Sequence, residues 1–482
     1  MIEVLQRSTI ITKAYELNYS NNPNLVKKSK EGLPEKSDDD IGRNVDDLSK
    51  YPVVYLNNVM IESTNISKLY LFNDEFLPKL RLEFSDPTNK LLDENFPIDN
   101  SIISIFKDST NTTFMGIKMD FKVTDFTIIK GTKTTEHITF RIDGALNVDD
   151  FYLMDWESHK GTTFDVIRKV SSDMGLGFAT NINNTNDDQV WINPGNYKIE
   201  YLRDLIDASY ISDETFLFGY VDFYYNFNYV DIEKQLSEDI SGQKNLIENK
   251  QMLKEGEENE VPLILTNHPD RDNTNLKIDK YTIENSSTNV NLTYGYRHYA
   301  IYYDKIGDEL KEYALDSISD AGANKIVMKG NDAENDELYN NQTNNTWMGK
   351  LDTDNAHENY LHSLLQNKMN LKFLQKLKMK VRMQKINYGL YRFQKVNVEL
   401  YNLGKIATKS ESTEKDVNKK DNREKSSTSN VDRFEETIIN KLSGEWLITA
   451  INFIFDKKEG NIQEITLVKR ELTEKYDFPD RN

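Results

Sequence analysis

The chain has 482 residues, with 79 acidic side chains against 60 Lys and Arg, a formal charge of −19 and no cysteine. That length suits about three compact units at roughly 150 residues each. The absence of cysteine excludes disulfides, thiolate zinc sites, iron–sulfur clusters and a Cys nucleophile, and the negative charge argues against a general polyanion binder, which needs a basic face.

The N-terminal run Met1-Ile2-Glu3-Val4-Leu5-Gln6-Arg7 lacks the basic region and apolar core of a signal peptide. Ser8–Leu17 reads as an early strand and Asn18–Lys50, with Asp38-Asp39-Asp40 and no periodicity, as an exposed loop. From about residue 50 a period of two sets in. Leu80, Leu82 and Phe84 alternate with Lys79, Arg81 and Glu83, and the pattern recurs in Ile117-Met119-Phe121-Val123 and Ile138-Phe140-Ile142. Polar turn clusters, Asp86-Pro87-Thr88-Asn89 and Asp108-Ser109-Thr110-Asn111, separate the runs. Short strands at this spacing predict a closed or nearly closed antiparallel barrel, the first unit, over residues 1–150 with its exposed loop at about 18–50.

The period then changes. Phe164, Ile167, Val170 and Met174 share a helical face, with Gly175 and Gly177 as the stop. Ile199, Leu202, Ile206 and Tyr210 mark a second helix after Pro194-Gly195, and the aromatic stretch Phe216–Tyr229 suits strands. Residues 151–235 read as an α/β insert. Residues 236–304 read as a connector, ending its charged part in Lys254–Glu260, followed by the start of a second barrel that includes a strand at Val290–Tyr303. Residues 305–374 read as a helical insert, with a helix from about Asn355 to Leu374 whose apolar positions keep helical spacing only loosely. Residues 375–482 supply the remaining barrel strands at Leu377–Met383, Phe393–Tyr401, Trp446–Asp456 and Ile462–Arg470. Lys405–Arg433, nearly without apolar residues, interrupts them as a disordered surface loop.

No stretch suits a membrane anchor. The most apolar window, Trp446–Phe455, is interrupted by Thr449 and Asn452 and falls well short of the ~20 residues that span a bilayer. Mean hydropathy is −0.67, yet 26 Tyr and 22 Phe make a disordered polyelectrolyte a poor description.

Chemistry-bearing motifs are sparse. His357 and His362 bracket an HExxH-like run, but two residues five apart on a helix differ by about 140° and face different sides. His137, His159, His268 and His298 have no motif around them. Gly175-Leu176-Gly177 follows a helix and lacks the third glycine of a dinucleotide loop, and neither a Walker phosphate loop nor Gly-x-Ser-x-Gly occurs. Carboxylate pairs such as Asp352/Asp354 are expected by chance among so many acids, and neither they nor Asp38–Asp40 carry the rest of an EF-hand loop. Calcium at an acidic loop stays open on acidic density alone. Asn-x-Ser/Thr triplets at Asn18, Asn65 and Asn111 are equally expected by chance. No catalytic, cofactor-binding or metal-binding residue is assigned, and the chain is read as a non-enzyme. One electrostatic feature stands apart: Lys368, Lys372, Lys376, Lys378, Lys380, Arg382 and Lys385 form an acid-free run. It reads as a solvated face, or as a band meeting an acidic neighbour subunit, with nucleic-acid binding third because no aromatic stacking set interleaves these lysines.

Several blocks occur in a telling order. Thr163–Phe178 runs into Asn184-Thr185-Asn186-Asp187 and Trp191-Ile192-Asn193. Thr215–Tyr229 and Tyr294-Gly295-Tyr296-Arg297-His298-Tyr299 follow, then Leu390–Val396, Leu442–Ile448 and Ile465–Leu472. Together they resemble the central baseplate hub (tail hub) proteins of contractile-tailed bacteriophages, over residues 163–472. The resemblance implies an α+β, mainly β chain with two antiparallel β-barrel tube domains and α/β inserts. It implies a homotrimer whose six barrels form a pseudo-sixfold ring, joining the sixfold tail tube proteins to a threefold central spike protein. Other baseplate proteins would surround it, and DNA would pass through the lumen without specific binding. The expected location is the virion tail, assembled in the host cytoplasm. The long loops at Asn18–Lys50 and Lys405–Arg433 and the lack of a lysozyme-like segment depart from that family. The alternatives are a tail-associated cell-wall hydrolase and a host-receptor-binding module.

Overall fold

The structure is a computed structural model. It describes residues 52–57, 59–87, 96–97, 100–107, 117–129, 137–148, 150–212, 215–237, 264–268, 276–286, 297–304, 308–316, 345–351, 357, 359–384, 386–387, 390–402 and 437–470. The expected strand at Ser8–Leu17, the loop at Asn18–Lys50, the charged run Lys254–Glu260 and the loop at Lys405–Arg433 lie outside these residues.

The first half builds an antiparallel sheet from β1 (Val53–Leu56), β2 (Val59–Ile61), β3 (Ile66–Asn73), β4 (Lys79–Asp86), β5 (Ile102–Lys107), β6 (Ile117–Ile129) and β7 (Ile138–Leu146), in the order β3-β4-β7-β6-β5-β1-β2. The alternation in the sequence is the cause. Leu80, Leu82 and Phe84 are buried, and each contributes on the order of 1.5–3 kcal/mol by leaving water. Phe84 lies opposite Phe140 on β7, the two rings stacked at 5.3 Å. No pairing among the described residues closes β1–β7 on itself.

The next segment is an α/β unit. β8 (Met154–Gly161) and β10 (Gln189–Tyr197) pair as an antiparallel ribbon. Helix α1 (Thr163–Asp173) leads to β9 (Gly177–Thr180), which runs parallel to β12 (Asn226–Asp231); β12 pairs antiparallel with β11 (Leu217–Val221). Helix α2 (Lys198–Ala208) follows β10, and the short helix α3 (Ile232–Ser237) follows β12. Phe164, Ile167, Val170 and Met174 are buried as the 3.6-residue period predicts. Gly175, at φ +71°, ends α1. The Asn184–Asp187 block holds the other end of that helix. Buried Asp187 accepts from the Thr163 and Tyr210 N–H groups at 2.9 and 3.0 Å, and Thr185 Oγ1 accepts from Phe164 N–H at 3.1 Å. An acid there complements the helix dipole and satisfies donors that the helix leaves unpaired.

The second half contains β13 (Ile264–Thr266), β14 (Leu276–Asn285), β15 (Arg297–Asp304), β16 (Glu309–Asp316), β17 (Asn345–Leu351), helix α4 (Tyr360–Leu374), β18 (Leu377–Met383), β19 (Lys395–Glu399), the two-residue strands β20 (Tyr401–Asn402) and β21 (Thr437–Ile438), β22 (Gly444–Asp456) and β23 (Gly460–Lys469). Six of these close a barrel in the order β19-β13-β14-β18-β23-β22, sealed by β22 against β19. This barrel is not wholly antiparallel as expected, because β13 runs parallel to both β14 and β19. At three residues β13 is only ~10 Å long, and the nine residues from 267 to 275 are enough to carry the chain back along it. A second correction concerns β15. The described part of the strand expected at Val290–Tyr303, Arg297–Asp304, instead joins β16 and β17 in a separate three-stranded sheet, and β16 and β17 fall within what the sequence suggests is a helical insert.

Helix α4 explains its own loose periodicity. Among its described side chains, the buried stripe runs through the polar Ser363, Gln366, Asn367 and Asn370, spaced three, four and seven apart, before ending on Leu374. Ser363 Oγ donates to the Ala208 carbonyl at 2.7 Å, and Asn367 Nδ2 lies 3.1, 3.1 and 2.9 Å from the Ile206, Asp207 and Ser209 carbonyls. Asn367 Oδ1 also accepts from Leu217 N–H at 3.0 Å. One helix thus caps the C-terminal carbonyls of another and fixes β11 beside it. Asn367→Ala is expected to lower unfolding stability by about 2–4 kcal/mol, because several buried groups lose their partner together. Ser363→Ala is expected to cost about 1 kcal/mol. Urea denaturation of both variants checks the ranking.

Candidate assembly surfaces and the sheet junction

Strand β22 belongs to both sheets. Val398 to Lys395 on β19 pair with Gly444 to Leu447, while Ile451 to Asp456 pair with Asn73 to Lys68 on β3; β23 lines the other side from Leu447 to Asp456. The register slips between Ile448 and Ala450, where the strand leaves one partner for the next. Thr449 lies at that slip, and its carbonyl accepts from Arg392 Nε at 2.7 Å. The same buried guanidinium donates to Asn73 Oδ1 at 3.3 Å, at the end of β3, and to the Asp74 carbonyl at 3.3 Å and the Glu75 carbonyl at 2.5 Å just beyond it. Its carbon sits 4.4 Å from the Tyr220 ring centroid, and Tyr220 Oη donates to the Arg392 carbonyl at 3.2 Å. Arg392 therefore ties barrel, first sheet and insert together at one point. Phe393 beside it adopts φ +61°, a left-handed conformation that costs a non-glycine residue about 1–2 kcal/mol. Its ring packs at 5.1 Å on Phe218 and 5.7 Å on Tyr220.

The histidines serve packing. The His357 ring lies 6.1 Å from Trp191 and 5.8 Å from Tyr360, with Nε2 3.3 Å from the Ala208 carbonyl. The side chains of His362 and His298 lie outside the described residues, as do Asp352, Asp354 and Asp38–Asp40. His268 meets Tyr401 edge-on at 4.8 Å, and His159 lies 3.0 Å from Glu157. Among the described residues, no group of three or more His, Asp or Glu is arranged to hold a metal ion. Burial raises the carboxyls of Asp204 and Asp207 above their ordinary range, partly offset by Lys368, whose Nζ lies 3.2 Å from Asp207. Burial likewise pushes Asp231 up to about 6, although it accepts from the Phe216 and Glu233 N–H groups. These groups secure the α2–α4 contact and the end of β12.

Part of the basic run is met within the chain. Lys380 lies 3.2 Å from Glu284 on β14, and Arg382 lies 2.8 Å from Glu459 and 3.6 Å from Asp279. Lys376 is buried at the α4–β18 turn. The run spans the end of α4, the turn and β18, and Lys368, Lys380 and Arg382 meet acids from other elements of the chain.

Two apolar surfaces face outward. On the β8–β10 ribbon, Trp191 and Asn193 point inward while Val190 and Ile192 are exposed; Met154 and Trp156 of β8 are exposed as well. Gly195, at φ +94°, lies directly against the Trp156 ring, where a Cβ would come within 3.0 Å of it. On β6, the stretch beyond Lys122 pairs with β7 on one side and with no strand on the other among the described residues. Phe126, Ile128 and Ile129 lie exposed there, with the exposed Phe96 ring at 5.2 Å from Phe126.

No family model matches the chain, and no curated protein matches it. Among solved structures it is similar to the tail protein from Neisseria meningitidis MC58, at TM-score 0.47 and 9% identity over 87% of this chain and 96% of that one. It is similar also to the 43 kDa tail protein of prophage MuSo2 from Shewanella oneidensis, at TM-score 0.47 and 11% identity over 87% of this chain and 98% of that one. An Escherichia coli type VI secretion component, described as similar to T4 bacteriophage tail proteins, follows at TM-score 0.39 and 8% identity over 88% of this chain and 79% of that one. Likenesses this loose carry no function across.

Two expectations follow from the junction and the buried lysine. Arg392→Lys keeps the charge but loses the fork of donors, and is expected to destabilise by about 3 kcal/mol or more in chemical denaturation. Burial pulls Lys376 down from 10.5 to about 7. Between those values the unfolded chain holds a proton that the folded chain does not, so this group makes stability rise with pH across that window. In Lys376→Met the rise between pH 7 and 10 is expected to be smaller than in the parent, read as the difference between their unfolding free energies.

Proposed function

We propose that this chain is a structural hub of a contractile phage tail, acting by assembly and not by catalysis. The observation that supports the reading is β22, which joins a closed six-stranded barrel to a second, seven-stranded sheet within one polypeptide. If each sheet unit acts as one tube domain, three chains present six of them. A ring of this kind matches a sixfold tail tube at one end and keeps threefold symmetry for a central spike at the other. The ordered sequence blocks from Thr163 to Leu472 supply the link to the hub family.

Charge agrees with the role. Three chains at −19 each would surround the lumen with negative potential, and such a wall repels the phosphate backbone, so that DNA passes without sticking. The partners in this reading are two further copies, tail tube proteins, the central spike and other baseplate proteins, within the virion tail. Light scattering on the purified full-length chain is expected to give the mass of three 56.1 kDa subunits at micromolar concentration, with ring-shaped particles in negative stain. A monomer that does not associate with tube subunits would overturn the reading.

A further inference from the structure

Two apolar surfaces on different elements of one chain pose a symmetry question. A twofold dimer uses one self-complementary patch, whereas a closed ring of identical subunits needs two different patches that fit each other. Here the ribbon carries Met154, Trp156, Val190 and Ile192, next to Tyr152 and Leu153, with Trp156 81% exposed. Register places Trp156 opposite Pro194 and Ser158 opposite Ile192, so these side chains share one face. Together they present on the order of 500 Å² of apolar surface, the upper range for a lone monomer. That is more than half of the roughly 800 Å² per partner in a stable interface. The β6 surface is the second patch. Phe126 and Ile128 pair opposite Ile142 and Phe140, so they continue the core-facing row of the sheet into a stretch that stays exposed, with the Phe96 ring against Phe126.

The patches stand at opposite ends of β7. Ile128 pairs with Phe140 near its start, while the ribbon follows the strand's end at Leu146, about 20 Å further along. Both patches also border strand edges that no described strand pairs, the kind of edge that accepts a neighbouring chain.

We infer that the ribbon face of one subunit docks on the outer half of β6 of the next copy, and that this head-to-tail contact closes the ring. The inference rests on the trimer reading above and names the surfaces that would make it. The test uses the full chain with Trp156→Glu/Ile192→Glu, and separately Phe126→Glu/Ile128→Glu, with circular dichroism and thermal midpoint confirming the fold. Each variant is expected to weaken self-association roughly 30-fold or more, the size of a hot-spot loss. Mixing the two is expected to give dimers and no larger species, because each dimer joins one intact ribbon to one intact β6 and leaves two disabled patches outward. The natural chain has no cysteine, so Ile192→Cys and Ile128→Cys can be placed on differently tagged chains and joined with a short bis-maleimide. Cross-linking between the two tags, and not within either alone, is the expected product. If the parent is a trimer and both Glu variants stay trimeric, the inference falls while the hub reading stands. A mixture that remains monomeric, or cross-links within each tag, overturns it too. A monomeric parent removes the hub reading itself.

Discussion

One strand cannot take two partners on the same edge along its whole length, and that constraint organises this molecule. Strand β22 solves it by changing partner midway, from β19 to β3, across the slip at Thr449. A change of partner strands backbone carbonyls at the crossing, and burying them unpaired would cost about 1–3 kcal/mol each. The guanidinium of Arg392 suits the task because its donors lie in one rigid plane and reach Thr449, Glu75 and Asp74 together. A barrel and a second sheet are joined rigidly as a result, with Tyr220 of the insert stacked on the same group. The strained backbone of Phe393 fits this picture, since the residues around it determine its conformation from several sides.

A similar logic governs the helical contact. The C-terminal end of α2 points its open carbonyls at α4, which answers with Ser363 and Asn367 where an apolar stripe would be usual. Burying amides is tolerable only when their donors and acceptors are met, and Asn367 does so from both of its atoms. Around this contact, the carboxyls of Asp204 and Asp207 are kept out of water beside Lys368. The insert is thereby fastened to the second half of the chain by polar groups, while its own core is aromatic.

Much of the strand pattern was legible in the sequence because period-two alternation follows directly from one-sided burial, as at Leu80, Leu82 and Phe84. Strand β18 was legible residue for residue, and α1 from its apolar face and glycine stop. Other features were hidden for physical reasons. Four buried positions of α4, Ser363, Gln366, Asn367 and Asn370, are polar, so a search for apolar period missed their helical spacing. Sequence carries no signal for β13 running parallel to its neighbours, because three residues are too few to show direction. The lysine run stood out along the chain as unopposed, yet acids that meet it, Glu284 on β14 and Glu459 in the β22–β23 turn, lie far away in sequence. Arg392 was present only as one letter in a family-like block; nothing local announced that it bridges Asn73 and Thr449. The exposed Trp156 likewise gave no warning, since alternation does not say which face is covered.

In the proposed role, unequal rotational symmetries would meet in this chain because each copy contributes two sheet units joined through a shared strand. Electron cryomicroscopy of tail tips, viewed down the tail axis at a level where sheets are resolved, tests it most directly. The account predicts three copies of this chain around an open lumen, each showing its closed barrel and its second sheet as adjacent segments of a six-membered ring. A single copy on the axis, or copies placed outside the tube wall with only one sheet unit in the ring, would contradict it.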